Sequence, residues 1–342
     1  MSDRPRVLLG GSGFIGSALT RALLAAGLPV RIADRQPCTV APHAWQHADV
    51  RDEASVARAL VGAETLFLLA AEHGTEPRPV ERFEETNVGG ARAVASAARR
   101  SGLRRIVFTS TVAVYGQHRG VRTEDSPCRP RSPYGRTKLE AERILEGWAR
   151  EDATRSLVII RPTIVFGPGV RGRMLGLFHE MAAPGFVMIG NGDNRKSFAH
   201  VENVAAFHAH AAALGPGVHV FNYADGPDLT LGEVATTIRE ALGLPTGFPR
   251  RSRAVAVIAA LLRGTRATEV VGATARSAAQ VLRYCSDSRF TSVRRGGLDF
   301  APPRSLREGL AEFARSDLRW IAGAASAPAH SARAGGQHVP AA

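Results

Sequence analysis

The sequence predicts an α/β fold, in which a doubly wound parallel sheet occupies the first half of the chain and a smaller C-terminal region follows. Short apolar runs alternate with helical patterns up to Arg161, as in successive β-α-β units. The predicted strands are mostly apolar and do not alternate with polar residues, which is typical of strands covered by helices on both faces. Beyond Arg161, glycine and proline punctuate the chain and the regular alternation ends.

Five strands and four helices are predicted in the first half. The strands cover residues 7–9, 30–33, 65–69, 106–109 and 157–160, and the helices cover residues 17–26, 55–61, 91–101 and 133–150. We divide the chain into a first domain over residues 1–165, a mainly substrate-binding region over 166–322 and a flexible tail over 323–342. The second region can return a strand to the sheet, and the tail is rich in Ala, Gly, Ser and Pro.

The net charge of +13 is concentrated near the C-terminus, where residues 250–342 contain 15 arginines against 6 acidic residues. No nucleic-acid-binding motif accompanies this charge and aromatic residues are few, so the composition argues against nucleic acid as a partner. Residues 250–266 form an apolar stretch flanked by arginines, which predicts a core helix or, alternatively, peripheral contact with a membrane. The longest wholly apolar run, residues 254–262, is too short to span a bilayer.

Three widely spaced cysteines fit neither a disulfide framework nor a zinc site, so the sequence predicts no metal site. They indicate a reducing compartment, of which the cytoplasm is the simplest. The first predicted strand begins at residue 7, which leaves no room for a secretory signal.

Glycines at the first predicted turn form the pattern Gly10-x-x-Gly13-x-x-Gly16. They let the backbone approach a pyrophosphate, whose charge then lies against the amides of a helix N-terminus. Their place between a strand and a helix is what a Rossmann-type dinucleotide-binding fold requires. Asp34 follows 18 residues after Gly16, where a carboxylate meets the adenosine ribose, and this favours NAD. The neighbouring Arg35 keeps NADP as the alternative.

Tyr134 and Lys138 lie four residues apart in the predicted helix that begins at residue 133, and therefore on one helical face. A free tyrosine, with a pKa of about 10, is a poor base at neutral pH. A nearby ammonium, together with a positive nicotinamide, would lower that pKa. The chain has only two lysines among 44 basic residues, so a lysine here points to a need for an ammonium whose pKa can shift.

Ser110 and Thr111 follow the predicted strand 106–109, at the carboxyl edge where parallel sheets bind their ligands. Either hydroxyl can hold a substrate oxygen while Tyr134 exchanges its proton.

These motifs, in this order, resemble the extended short-chain dehydrogenase/reductase superfamily and, within it, the NAD-dependent nucleotide-sugar epimerase/dehydratase family. The resemblance covers most of the chain, from residue 6 almost to the predicted tail. Besides the glycine pattern and the Tyr-Lys pair, it rests on Asp34, Asp49-Val50, Leu69-Ala70-Ala71, Asn87, Ser110 to Gly116, Arg161-Pro162, Gly167-Pro168 and Phe198-Ala199-His200-Val201.

The resemblance implies that Tyr134 is the catalytic base, that Lys138 holds the nicotinamide ribose and lowers the pKa of Tyr134, and that Thr111 bonds the reacting oxygen. It also implies a homodimer. The implied NAD contacts are Gly10, Gly13, Phe14, Ile15, Gly16, Asp34, Arg35, Asp49, Val50, Leu69, Ala70, Ala71, Asn87, Ser110, Tyr134, Lys138 and Pro162.

Val112 and Ala113 stand where the family's 4,6-dehydratases have the Asp-Glu pair that eliminates water. Neither side chain can move a proton, so the sequence favours C4 epimerisation of a UDP-hexose-like substrate through a 4-keto intermediate, as in the UDP-galactose 4-epimerase branch. An NAD(P)-dependent dehydrogenase or reductase of the 3β-hydroxysteroid type is the enzymatic alternative. A non-catalytic NAD(P)-sensing protein is the non-enzymatic one.

When the chain is aligned on His200-Val201, Lys196 stands where the epimerases place an arginine on the nucleotide diphosphate, with Arg195 beside it. Thr111 and Thr163 complete the expected substrate contacts. Because lysine lacks the bidentate fork of arginine, the identity of the nucleotide stays open. His200 itself is expected to be structural.

Overall fold

Seven parallel strands form the central sheet of the computed structural model, which describes residues 3–73, 79–118, 120–171, 173–252, 254 and 285–323. In chain order they are β1 (Arg6–Leu9), β2 (Val30–Asp34), β3 (Trp45–His47), β4 (Thr65–Leu68), β5 (Arg105–Thr109), β7 (Ser156–Pro162) and β12 (Gly217–Tyr223). Their order across the sheet is β3-β2-β1-β4-β5-β7-β12, and every pair is parallel. The strand order reverses between β1 and β4, where doubly wound sheets bind their ligands. The predicted fold class is confirmed.

Helices cover both faces of this sheet. Those that pack in its two cores are α1 (Phe14–Ala25), α2 (Glu53–Ala59), α4 (Gly90–Ser101), α5 (Pro133–Arg150) and α7 (Val201–Ala211). The short α3 (Val80–Phe83) precedes α4, and α6 (Arg173–Ala182), α8 (Leu231–Ala241), α9 (Leu306–Phe313) and α10 (Arg319–Gly323) belong to the core of the C-terminal region. Alternate strand residues point to opposite faces: Val7 and Leu9 pack in the core with α2, α4 and α5, whereas Leu8 packs in the core with α1 and α7. This arrangement explains why the strands are apolar on both faces over most of their length.

The predicted helix over residues 133–150 has the same bounds in the structure, because its start is specified locally. The Ser132 hydroxyl accepts a hydrogen bond from the Gly135 amide at 3.1 Å, and Pro133 occupies the first helical position. The other predicted helices and strands differ from the observed ones by at most three residues at either end. Helix α1, for example, begins at Phe14 rather than at residue 17.

The region after Arg161 contributes short strands, helices and a core of its own. The short strands, together with one from the first half, are β6 (Val121–Arg122), β8 (Ile164–Phe166), β9 (Met188–Ile189), β10 (Arg195–Lys196), β11 (Phe198–His200), β13 (Leu229–Thr230), β14 (Arg250–Arg251) and β15 (Arg289–Phe290). Strand β12 leaves this region and pairs with β7, so both parts of the chain build the sheet. The predicted tail over 323–342, apart from Gly323, and most of the stretch 250–266 lie outside the described residues.

None of the helices in the described ranges is both long and apolar enough to cross a bilayer.

Candidate active site

The glycine turn after β1 is packed so closely that side chains are excluded. Gly10 has a φ of +90°, and a Cβ there would lie 2.3 Å from the backbone nitrogen of Ala70. A Cβ on Gly16 would lie 2.6 Å from the Cα of Gly11. Gly11 is constrained as well, since its Cβ would meet that of Leu8 at 2.8 Å, although the sequence pattern did not single it out. The first turn of α1 is thereby drawn onto the ends of β1 and β4.

The N-terminus of α1 is free to receive an anion. Its N-cap is Gly13, no side chain caps it, and its first turn contains no acidic residue. The unpaired amides and the helix dipole therefore favour a pyrophosphate at this position. Phe14 and Ile15, the first two helical residues, are partly buried and bring their backbone amides to this end.

The Asp34 carboxylate lies at the rim of the glycine turn. One oxygen accepts a hydrogen bond from the Ser12 amide at 3.0 Å and the other accepts from the Gln36 amide at 2.9 Å. This geometry holds the carboxylate where the prediction requires it to meet a ribose. Arg35 is exposed to solvent. Asp34 is therefore the residue that supports NAD over NADP.

Asp49 and Val50 differ in role. Asp49 pairs with Arg51 at 2.6 Å, and this hydrogen-bonded arginine lowers the pKa of the carboxyl. Val50 is buried against Gly90, where a Cβ would lie 2.8 Å from a Val50 methyl. Val50 therefore packs helix α4 against the sheet, while an NAD contact by Asp49 stays a prediction.

Asn87 links the turn after β4 to the Tyr134–Lys138 helix. Its Oδ1 accepts from the Glu72 amide at 2.9 Å, and its Nδ2 donates to the Glu72 carbonyl at 3.1 Å and to the Thr137 hydroxyl at 3.0 Å. It lies in a π-helical segment, Glu84–Gly89, which widens the helix there. The predicted cofactor residues Leu69, Ala70 and Ala71 immediately precede Glu72. The backbone amides of the first two donate hydrogen bonds to the Leu9 carbonyl, each at 2.8 Å.

Tyr134 and Lys138 both face the carboxyl end of β5. Thr111 lies two residues after the end of that strand, and its hydroxyl hydrogen-bonds the Tyr134 phenol. It also caps the short helical turn Val112–Tyr115 by accepting from the Ala113 amide at 3.1 Å. The Lys138 ammonium lies 4.0 Å from the centroid of the Phe108 ring. The structure thus brings together the three predicted catalytic residues at the predicted edge of the sheet.

Burial moves both pKa values of the pair away from their ordinary ranges. It raises the pKa of Tyr134 to about 12, with a smaller opposing effect of the Thr111 hydrogen bond. It lowers the pKa of Lys138 to about 7, against the opposing charge of Glu142. Burial thus dominates the pKa of Tyr134 in the protein without cofactor, and the expectation that Lys138, together with a bound nicotinamide, lowers this pKa stays a prediction. The positive charge of a bound nicotinamide would have to lower the pKa of Tyr134.

Ser110 is engaged with helix α5 in the structure, while its predicted contact with the cofactor stays a prediction. Its buried hydroxyl donates to the carboxylate of Glu142, which also accepts two hydrogen bonds from Arg161. Ser110 therefore faces helix α5. Sequence reasoning missed Glu142, although its spacing of four residues from Lys138 places it on the same helical face.

The end of β7 contributes a buried hydroxyl that lacks a hydrogen-bond partner. Pro162 ends the strand and Thr163 follows it, and within the described residues nothing hydrogen-bonds Thr163 Oγ1. Buried hydroxyls are rarely left unpaired, so this atom fits a contact with a ligand.

Arg195 and Lys196 are adjacent in β10 and differ in environment. Arg195 donates to the Asp228 carbonyl at 2.6 Å and lies 3.7 Å from Glu233. Lys196 is buried and donates to the Ser286 carbonyl at 2.8 Å. Of the two cations, Lys196 is the one held in the interior of this region, while a diphosphate contact by either stays a prediction.

His200 is fully buried, and neither ring nitrogen has a hydrogen-bond partner among the described residues. Burial lowers its pKa, and the ring packs against Phe166 with their centroids 5.4 Å apart. The described ranges contain no group of three or more His, Cys, Asp or Glu residues that could hold a metal ion.

The glycine turn, the uncapped helix N-terminus and the Asp34 carboxylate all fit a dinucleotide. Together with Thr111, Tyr134 and Lys138 they define a dinucleotide-dependent enzyme of the tyrosine-lysine type on a doubly wound sheet. The chain belongs to the NAD dependent epimerase/dehydratase family, whose pattern matches residues 7–224. The resemblance inferred from the sequence is confirmed.

Individual relatives point to 4-epimerases. The chain is 32% identical over 306 residues to the N-acetyl-alpha-D-glucosaminyl-diphospho-ditrans,octacis-undecaprenol 4-epimerase of Escherichia coli O157:H7, covering 89% of this chain and 92% of that one. It is 26% identical to the UDP-glucose 4-epimerase of Streptomyces lividans, covering 74% of this chain and 87% of that one. The solved structure of MoeE5 in complex with UDP-glucose and NAD is 27% identical, with a TM-score of 0.71 over 93% of this chain and 99% of that one.

Proposed function

We propose that this chain is an NAD-dependent C4 epimerase of a hexose that is joined to its carrier through a diphosphate. The observation that carries the proposal is the Thr111–Tyr134 hydrogen bond beside Lys138, at the carboxyl end of β5 and next to the glycine turn. A base and an oxygen-holding hydroxyl at this edge are what removal of a proton from a sugar hydroxyl requires.

In the proposed reaction Tyr134 takes the proton of the C4 hydroxyl while Thr111 orients the oxygen that loses it. Bound NAD supplies a hydride acceptor that later gives the hydride back, so there is no net oxidation. Lys138 holds the cofactor ribose, and its charge favours the ionised phenol. The 4-keto sugar turns within the site, and Tyr134 then returns the proton to the oxygen of the inverted centre.

The residues beside Thr111 support epimerisation rather than dehydration. Val112 and Ala113 begin the short helical turn that Thr111 caps, and neither carries an acid-base group. Elimination of water needs a group that moves a proton at a neighbouring carbon, and this turn does not supply one.

The carrier is proposed from the relatives and from Lys196. Identity is 32% to the enzyme named for an undecaprenol diphosphate and 26% to the UDP-glucose 4-epimerase. Lys196 is a single buried cation and lacks the bidentate fork of arginine. We therefore propose a polyprenyl-diphosphate N-acetylhexosamine as the first substrate to test, with UDP-hexoses as the second.

A lipid carrier would place the protein at a membrane. We propose a cytoplasmic homodimer in peripheral contact with the bilayer. Trp320 is 66% exposed, and the exposed Arg315 and Arg319 lie on the same helical run. Tryptophan and arginine are favoured at the boundary between lipid and water. The protein should float with anionic vesicles, and Trp320→Ala should abolish this binding. Sedimentation should give the mass of a dimer. Failure of either test removes the corresponding part of the proposal.

The function is tested by incubating NAD-loaded protein separately with N-acetylglucosaminyl-diphospho-undecaprenol and with UDP-N-acetylglucosamine. We expect the C4 epimer from one of them, without NADH in solution. Tyr134→Phe should abolish turnover and leave bound NAD unchanged. Net NADH formation from an alcohol would indicate a dehydrogenase, and an active Tyr134→Phe variant would contradict the assigned base.

A further inference from the structure

A buried carboxylate, that of Glu142, lies one helical turn beyond Lys138 on α5. Only 1% of the residue is exposed. Its Oε1 accepts from the Ser110 hydroxyl and from Arg161 Nε, the latter at 2.9 Å, and its Oε2 accepts from Arg161 Nη2 at 2.6 Å. The two-point contact fixes the carboxylate in orientation as well as in position.

These three bonds join the segments that carry the site. Ser110 immediately precedes Thr111 at the end of β5. Arg161 lies in β7 and precedes Pro162 and Thr163. Through Glu142, helix α5 is therefore tied to the ends of two neighbouring strands, next to the hydroxyl that bonds Tyr134.

Arg161 extends the network toward the C-terminal region. Its Nη1 donates to the Tyr115 hydroxyl at 2.8 Å, which donates to Asn222 Oδ1 at 2.8 Å. The backbone amide of Asn222 in turn donates to the Glu124 carboxylate at 2.8 Å, and this carboxylate also accepts from the backbone amide of Val293 at 3.1 Å. A continuous buried chain of hydrogen bonds thus connects the Tyr-Lys helix with residue 293.

Stability alone is a weak reason for such an arrangement. Both partners of the ion pair must be removed from water, and apolar residues of similar volume often replace a buried pair without loss of stability. A second reason follows from the neighbourhood of Lys138. Among its packed neighbours, Phe108 on β5 is uncharged and Tyr134 is a neutral phenol at ordinary pH, while the Arg161 charge is already paired with Glu142. Glu142 is the acidic group that acts on Lys138.

We propose that Glu142, fixed by Arg161 and Ser110, is a positioning residue for the Tyr134–Lys138 pair: it holds α5 in place against β5 and β7 and is the counter-charge of the Lys138 ammonium. The catalytic part of this inference rests on the proposed function. The electrostatic part does not, because it can be measured without turnover.

The chain offers a direct readout because Lys138 and Lys196 are its only lysines. Protein containing lysine labelled with ¹³C at Cε should give two signals, which Lys196→Arg assigns. Glu142→Gln removes the carboxylate charge and should lower the titration midpoint of Lys138 by about one pH unit or more. Glu146→Gln is the matched control: this carboxylate lies one turn further along α5 and pairs with Arg150 at 3.0 Å, so its loss should leave the midpoint unchanged.

Positioning is separated from charge by Arg161→Lys. This variant keeps a cation beside Glu142 but loses the two-point contact and the bond to Tyr115. We expect the Lys138 midpoint to stay within about 0.3 units while kcat of the NAD-loaded enzyme falls about tenfold or more, because small displacements of reacting groups are costly. In Glu142→Gln the alkaline limb of the pH profile should also move to lower pH, since protonated Lys138 is lost earlier as pH rises.

If Glu142→Gln folds and Lys138 titrates as in the unsubstituted protein, the counter-charge role is overturned. Should that variant fail to fold, Ser110→Ala and Arg161→Lys decide the positioning role: unchanged kcat in both overturns it. Absence of epimerase activity in the unsubstituted protein would sink the proposed function but would leave the lysine titration as a valid test.

Discussion

Burial acts on the two ionisable side chains of the pair in opposite senses. The pKa of Tyr134 rises to about 12, and that of Lys138 falls to about 7, because desolvation disfavours the charged form of each. Both groups are thereby held neutral in the protein alone at slightly alkaline pH. The charge state that the proposed chemistry needs, a phenolate beside an ammonium, is therefore expected to develop only when a cation binds next to Tyr134.

Tyrosine titration tests this directly, since the chain has only four tyrosines. With ¹³Cζ-tyrosine, the Tyr134 signal of cofactor-free protein should titrate at about pH 12. Saturation with NAD should move it downward by at least about one unit, because the nicotinamide is positive. Tyr134→Phe assigns the signal. A midpoint that does not change with NAD would show that the cofactor does not activate the phenol.

Lys138 should cost the cofactor-free protein stability. Its folded pKa of about 7 lies below the ordinary 10.5, so the unfolded chain binds the additional proton between these values and the free energy of unfolding rises with pH across that window. Lys138→Met should therefore be more stable below pH 7, by roughly 2 to 4 kcal/mol, with the gain shrinking toward pH 10.5.

Urea unfolding at pH 6 and pH 9 measures this difference. Lys196→Met serves as the contrast, because its ammonium donates to the Ser286 carbonyl and its loss should destabilise the protein. A Lys138→Met variant that is less stable at pH 6 would contradict the assignment of Lys138 as a buried cation whose desolvation outweighs the opposing charge of Glu142.

At the scale of elements, the glycine turn and helix α5 are specified by different means. The start of the helix is specified by neighbouring residues, with Ser132 as the N-cap and Pro133 at the first helical position, so the sequence could predict it. The turn is specified by contact between distant strands, since Gly10 is pressed against Ala70. The pattern predicted Gly10, Gly13 and Gly16, yet it missed Gly11, whose neighbours Leu8 and Ile32 become visible only once the strands are packed.

Gly10→Ala should abolish NAD binding and destabilise the protein by more than about 3 kcal/mol, because the added methyl meets the backbone at 2.3 Å. Gly62→Ala is the matched control: its φ of +69° is similarly left-handed, but nothing lies within 4 Å of the added methyl. It should cost only about 1 kcal/mol and keep NAD affinity. Thermal unfolding with and without NAD distinguishes the two, and equal losses would argue against close packing at Gly10.

At the scale of the whole molecule, the sequence predicted the sheet and the position of the catalytic pair because period, capping and motif order are local signals. It could not predict that Ser110 turns to Glu142, since that depends on where β7 places Arg161. Nor could it place β12 beside β7, because the paired strands are separated in sequence by two helices, α6 and α7, and four short strands. Asn87 was predicted as an NAD contact, but its bond to Thr137 spans 50 residues and emerges only from the packed fold.

The central claim is that Tyr134 and Lys138 serve a reaction in which hydride leaves C4 and returns to it without net oxidation. The most direct measurement follows deuterium at C4 of N-acetylglucosaminyl-diphospho-undecaprenol, or of the UDP-sugar if that is the substrate, during incubation with NAD-loaded protein. We expect a C4-epimerised product that retains the deuterium at C4, with no NADH released. Deuterium lost to solvent, or NADH accumulating with a ketone product, would contradict it.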